Sequence, residues 1–235
     1  MRGRALLATL VLAMVALAGS CTQDEEAPDR VLLVGDSLMN QVATPLRAMT
    51  GNQVDVRSEA VSGSGLLSPW LFDWQQRLPR VAGAYDPDVV VLLFIGNYRV
   101  GSDQAYTTAD GRRIENRRTE AFFEAWQHEA ERLTEAAAEE AGRVVWVLPP
   151  PMENRGDQRV AERLREIYRT IASGNGDVST VDANDTLAGP DGGFQARSRG
   201  DGQQERLRSR DGVHLTRPGA RRLAVQLEEA VAELT

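Results

Sequence analysis

The run VVVLLFI, Val89 to Ile95, has no polar residue at any alternate position. A strand with one face in water alternates apolar and polar side chains, whereas one covered on both faces does not. The run therefore predicts the middle of a parallel sheet with helices packed on either side. The rest of the chain supplies its neighbours. Short β-branched runs at Val31 to Val34, Gln53 to Val56, Val144 to Leu148 and Val178 to Val181 alternate with helical stretches at Met39 to Met49, Thr119 to Ala141, Arg159 to Ala172 and Pro218 to Leu234. Such alternation builds parallel sheets. Gly174 is a helix stop signal, and Thr216 with Pro218 a start signal. Strands in this number predict a flavodoxin-like three-layer α/β/α sandwich.

At 235 residues, 42% of them hydrophobic, the chain is long enough for one domain with a substantial core. Residues 1–20 stand apart from it. Arg2 and Arg4 precede an apolar run from Ala5 to Ala18 that closes on small residues, the pattern of a signal peptide. The run falls short of the roughly 20 apolar residues that span a bilayer; a buried hydrophobic helix would leave its basic start unaccounted for. Cys21, the sole cysteine, stands between Ala18, Gly19 and Ser20 and the polar run TQDEEAPD. This junction resembles a bacterial lipobox, although the usual leucine falls one place early, at Leu17. The resemblance implies that Cys21 is the lipidated first residue of the mature chain. Residues 21–30 then form a tether, 31–235 the folded domain, and the protein is exported and held on the outer face of the cell membrane. Ordinary cleavage followed by secretion is the alternative. A lone cysteine rules out an internal disulfide. The net charge of -7 becomes -9 once Arg2 and Arg4 leave, so nucleic acid is not an expected partner.

Two stretches fit no regular element, Tyr98 to Arg117 and Leu187 to Arg210. Both follow carboxyl ends of predicted strands, where open α/β sheets bind ligands. The segment VLLVGDSLMNQ puts Gly35, Asp36 and Ser37 at a strand-to-helix junction. A serine there lies at the positive end of a helix dipole, beside N–H groups able to receive an oxyanion. Helix capping by Asp36 or Ser37 is the plainer reading. It is not the G-x-S-x-G elbow, since Met39 takes the second glycine position. Near the other end, SRDGVHLTRPGA sets Asp211 and His214 three residues apart. A serine hydroxyl requires a base such as imidazole, and imidazole requires a carboxylate to fix its tautomer. The only other histidine, His128, lies among charged residues of a predicted helix and reads as a surface group.

Taken together, GDSL at Gly35 to Leu38, the glycine in AVSGSGLL, the asparagine in FIGNYR and DGVHLT at Asp211 to Thr216 resemble the four blocks of the SGNH/GDSL hydrolases. The resemblance implies strand order 2-1-3-4-5 and a triad of Ser37, His214 and Asp211. It further implies an oxyanion hole made by the N–H of Ser37, the N–H of Gly63 and the amide of Asn97, with Gly65 as the alternative glycine. In the third block Ile95 and Tyr98 replace the usual glycine and aspartate. The activity implied is hydrolysis of small acyl esters, acetyl above all, on carbohydrates of the cell envelope. An O-acyltransferase with the same triad, or a catalytically silent envelope-binding protein, are the other readings. No cofactor is implied, and no metal, because the chain lacks a His/Cys cluster. Trp70, Phe72 and Trp74 are candidates either for a sugar or acyl site or for the core; Trp146 reads as core. Arg99 reads as a surface arginine, or as a contact for an anionic substrate.

Overall fold

The computed structural model describes residues 29–96, 106–108, 110–115, 119–199 and 204–234. The leader, Cys21, Asn97, Tyr98 and Arg99 lie outside them. In chain order the elements are β1 (Asp29–Gly35), α1 (Ser37–Thr50), β2 (Val54–Ser58), α2 (Trp74–Tyr85), β3 (Val89–Leu93), β4 (Tyr106–Thr107), β5 (Arg113–Ile114) and α3 (Glu120–Ala138). There follow β6 (Arg143–Leu148), α4 (Arg155–Ser173), β7 (Val178–Asp182), α5 (Asn184–Leu187), β8 (Arg197–Arg199), β9 (Gln204–Arg206) and α6 (Arg217–Ala232).

Five strands form one parallel sheet in the order β2-β1-β3-β6-β7. This is the expected 2-1-3-4-5 order once the two small antiparallel pairs, β4 with β5 and β8 with β9, are set aside. The run that predicted a central strand is central: Val90 pairs with Leu32 of β1 on one side and Val144 of β6 on the other. Its side chains divide strictly by parity. Val90, Leu92 and Phe94 enter one core with Trp74, Leu78, Phe122, Trp126, Leu164 and Tyr168 of α2, α3 and α4. Val89, Val91, Leu93 and Ile95 enter the other, with Leu38, Val42, Leu46, Leu223 and Leu227 of α1 and α6. Each fully buried Val, Leu or Phe contributes about 1.5–3 kcal/mol of transfer free energy, so a strand buried on both sides anchors both layers.

The structure departs from the sequence pattern in three places. No helix is predicted between the second and third strands, a region that holds Pro79 and Gly83. Yet α2 forms there, capped by Asp73, whose carboxylate accepts the Gln76 N–H at 3.1 Å. Its buried residues Trp74, Leu78, Val81 and Ala82 make an i, i+4, i+7, i+8 stripe. The third strand stops at Leu93 rather than Ile95, because the Ile95 N–H donates to Asp36 Oδ2 at 2.8 Å and the Phe94 carbonyl accepts from Tyr168 Oη at 2.9 Å. Lastly, the two stretches expected to lack regular structure each carry a short antiparallel pair; in the first, Ile114 is buried and Tyr106 packs edge-on against Phe122. Of the candidate aromatics, Trp146 and Trp74 are core, Phe72 packs against the core, and Trp70 is 47% exposed.

Candidate active site

Ser37 is the first residue of α1, directly after the end of β1. The approach to it requires glycine: a Cβ on Gly35 would stand 2.2 Å from the Leu93 carbonyl oxygen and 2.8 Å from Met39 Cβ. Asp36 then caps α1, its Oδ1 accepting the Leu38 N–H at 3.0 Å. Its other oxygen takes the Ile95 N–H, so one buried carboxylate ties the serine turn to the segment that leads into Asn97. Burial pushes the Asp36 carboxyl up to about 6, against the lowering influence of the two N–H donors and of nearby His214. The capping role was legible in the sequence; the tie to Ile95 was not, because its partner lies 59 positions away.

Asp211 and His214 sit on the turn that precedes α6. The Ser209 N–H donates to the His214 carbonyl at 2.7 Å, and the Gly212 N–H to the Ser209 carbonyl at 3.2 Å. Buried Val213 and Leu215 point inward on either side of the imidazole. Asp211 Oδ1 accepts the N–H groups of Val213 and His214 at 2.9 and 3.0 Å, and its Oδ2 lies 2.7 Å from His214 Nδ1. Desolvation acts to raise this carboxyl, but the bond to His214 and the two N–H donors outweigh it and bring it down to about 2. An ionised carboxylate can only accept, so it selects the tautomer with the proton on Nδ1. The other ring nitrogen, Nε2, is then a lone-pair acceptor 2.9 Å from Ser37 Oγ. The three side chains thus form one hydrogen-bonded chain across 177 positions of sequence. His214 and Asp211 keep 35% and 34% of their side-chain surface exposed, so a solute can reach them. His128 is on the surface of α3.

Gly63 adopts φ +81°, a conformation that favours glycine, and a Cβ there would meet nothing within 4 Å. Its loop runs beside the serine turn: the Val61 N–H donates to the Gly35 carbonyl at 2.9 Å, and Asn40 Nδ2 to Ser62 Oγ at 3.4 Å. Among the described residues, the N–H groups of Ser37 and Gly63 donate no hydrogen bond. Gly65 does not take positive φ.

Two further residues in this region escape sequence reasoning. Gln41, one helical turn beyond Ser37, accepts the Leu215 N–H on Oε1 at 2.9 Å and donates from Nε2 to the Leu215 carbonyl at 3.1 Å. Arg208 is 1% exposed, and its Nη2 donates to the Pro151 carbonyl at 2.8 Å beneath the Asp211 turn. Burial lowers this guanidinium to about 10, with Asp211 opposing the shift. Nothing in the polar segment ERLRSRDG marks one arginine as buried.

No curated protein sequence matches the chain. Solved structures do. A GDSL-like lipase from Bacteroides thetaiotaomicron superposes with a TM-score of 0.55 at 15% identity, covering 88% of this chain and 89% of its own. The catalytic domain of peptidoglycan O-acetyltransferase A from Streptococcus pneumoniae gives 0.55 at 13%, with 89% and 96% covered. The periplasmic domain of a lipopolysaccharide acetyltransferase from Salmonella ser. Paratyphi A gives 0.58 at 13%, with 87% and 84% covered. The fold is therefore that of the SGNH/GDSL hydrolases. A family model matches residues 30–230, and by that match the chain belongs to the family described as protein of unknown function (DUF459).

Proposed function

We propose that the protein is a serine esterase that removes small acyl groups, acetyl in the first place, from carbohydrates of the cell envelope. The observation that carries this reading is the hydrogen-bonded chain from Asp211 through His214 to Ser37 at the head of a helix. Ser37 Oγ attacks the ester carbonyl while His214 Nε2 takes its proton, and Asp211 stabilises the imidazolium. Charge gathers on the carbonyl oxygen, for which the N–H groups of Ser37 and Gly63 and the side-chain amide of Asn97 are the proposed donors; each such donor is worth about 10²–10³ in kcat. His214 returns the proton to the departing alcohol, leaving an acyl group on Ser37. Water, deprotonated by His214, then releases the acid.

The structural likeness to a peptidoglycan O-acetyltransferase domain and a lipopolysaccharide acetyltransferase domain supports a second reading, in which a sugar hydroxyl replaces water as acceptor. The same relatives support an extracytoplasmic site of action, and no helix of the described residues is long and apolar enough to cross a membrane. With the leader and Cys21, we read the protein as exported and tethered by lipid at that cysteine.

Labelling the purified protein with a fluorophosphonate probe and mapping the modified residue tests the nucleophile. Modification at Ser37, with p-nitrophenyl acetate turnover lost in Ser37→Ala and His214→Ala, is expected because the two act as one unit. Absence of labelling and turnover in the folded protein would favour the catalytically silent reading instead. Adding a soluble oligosaccharide acceptor separates the two enzymatic readings, since only a transferase diverts the acyl group from water to sugar.

A further inference from the structure

Two kinds of contact fix the geometry of the Ser37–His214–Asp211 chain, and they do different things. The Asp211–His214 contact is internal to one turn: donor and acceptor are three residues apart, and the same carboxylate also takes two N–H groups of that turn. It orients the ring within the turn. It does not determine how far the turn stands from α1, which carries the serine. That second distance decides whether Nε2 meets Oγ.

Gln41 spans this gap. It is four residues beyond Ser37, so both side chains project from one face of α1, and about 6 Å of helix rise separates them. Its amide engages both backbone groups of Leu215, the residue after His214, across 174 positions of sequence. An amide is the one side-chain group of this length that offers an acceptor and a donor side by side, so it reads a backbone N–H and C=O together. A carboxylate would satisfy the N–H and repel the carbonyl; an aliphatic side chain would satisfy neither. Between α1 and the His214 turn, the polar links among the described residues are the Ser37–His214 contact itself and this pair. Gln41 touches neither reacting atom.

We infer that Gln41 is a positioning residue that sets the Ser37 Oγ to His214 Nε2 distance by clamping the base-bearing turn onto the nucleophile's helix. The inference rests on the proposed function, since it assigns a role within that triad. Reacting groups displaced by about 1 Å lose on the order of 10²-fold in rate, so a clamp of this kind acts on kcat.

The test compares Gln41→Leu, which preserves bulk and helix propensity, with Gln41→Glu, which preserves one of the two hydrogen bonds. With p-nitrophenyl acetate, Gln41→Leu should lose roughly 10- to 100-fold in kcat at nearly unchanged KM. Its rate of inactivation by a fluorophosphonate should fall by the same factor, and Gln41→Glu should lie between it and the wild type. The downfield proton resonance of the Asp211–His214 hydrogen bond should persist in both, because that bond is built within the turn. Wild-type kcat in folded Gln41→Leu, or loss of that resonance together with activity, would overturn the clamp, the second result by showing general collapse of the turn. Ser37→Ala is run in parallel. If it retains turnover, the proposed nucleophile falls and the clamp with it; if it is inactive while Gln41→Leu is fully active, only the clamp is withdrawn.

Discussion

Replacing Asp36 by asparagine should remove a pH dependence of stability and make the protein less active. The Asp36 carboxyl is 4% exposed and is pushed up to about 6 by burial, from 3.8 when unperturbed. The folded state therefore holds this proton more tightly than the unfolded state does. Its contribution to stability is fully present below about pH 4 and is lost as the pH rises through about 6. At 1.36 kcal/mol per unit, the ionised carboxylate costs about 3 kcal/mol at pH 7 relative to its neutral form. Asparagine keeps the size of the side chain and one capping oxygen for Leu38, but its Nδ2 cannot accept the Ile95 N–H, which loses its partner at a pH-independent cost of about 1–3 kcal/mol. Asp211, held down at about 2, loses its stabilisation only as the pH falls below about 4, and it is common to both proteins, so it cancels in the difference. Urea unfolding should find Asp36→Asn less stable than wild type by about 1–3 kcal/mol near pH 4, the cost of the unpaired Ile95 N–H. Between pH 4 and pH 7 the wild type should lose about 3 kcal/mol relative to the variant, a relative midpoint shift of about 1 M or more. The cost falls on activity, because the carboxylate is what draws the Ile95 N–H toward the serine turn. Parallel stability curves across the range would refute the reasoning: the two N–H bonds would then outweigh burial.

Tyr168→Phe removes a buried hydroxyl that accepts the Trp126 indole N–H at 3.1 Å and donates to the Phe94 carbonyl. Losing these two buried hydrogen bonds should cost about 2–4 kcal/mol and lower the Tm by roughly 5–10 °C, measured by calorimetry, with ester turnover kept within a few-fold. Cys21→Ser should release the protein from membranes into the soluble fraction or leave the leader uncut, because stable anchoring needs more than one acyl chain. Mass spectrometry of the exported wild-type protein should find lipid on Cys21, and an unmodified thiol there would count against the anchor.

What the sequence revealed was what local chemistry encodes. A strand covered on both faces shows itself by lacking alternation, so Val89 to Ile95 reads as the centre of the sheet, and with it the three-layer order. The Asp211 turn could be read because its carboxylate, N–H donors and imidazole lie within four residues. Where the sequence is silent, the deciding partner is distant. Helix α2 is hidden by Pro79 and Gly83, and its stripe has meaning only once β1 and α3 are there to receive it. The second bond of Asp36, the Gln41 pair and the burial of Arg208 each depend on residues 57 to 174 positions away. No spacing rule along the chain marks them. Asn97 and Cys21 rest on motif resemblance alone.

The separation of Ser37 from His214 by 177 positions also orders events in time. Synthesis from the amino terminus makes Ser37, the proposed nucleophile, 177 residues before His214, its proposed base. All five strands of the sheet precede that point, so they can pair while the serine is still an ordinary hydroxyl. Reactivity would switch on only when α6 closes against α1 and brings the Asp211 turn with it. An unfinished chain, or one clipped before residue 211, would then be chemically harmless, however complete its sheet.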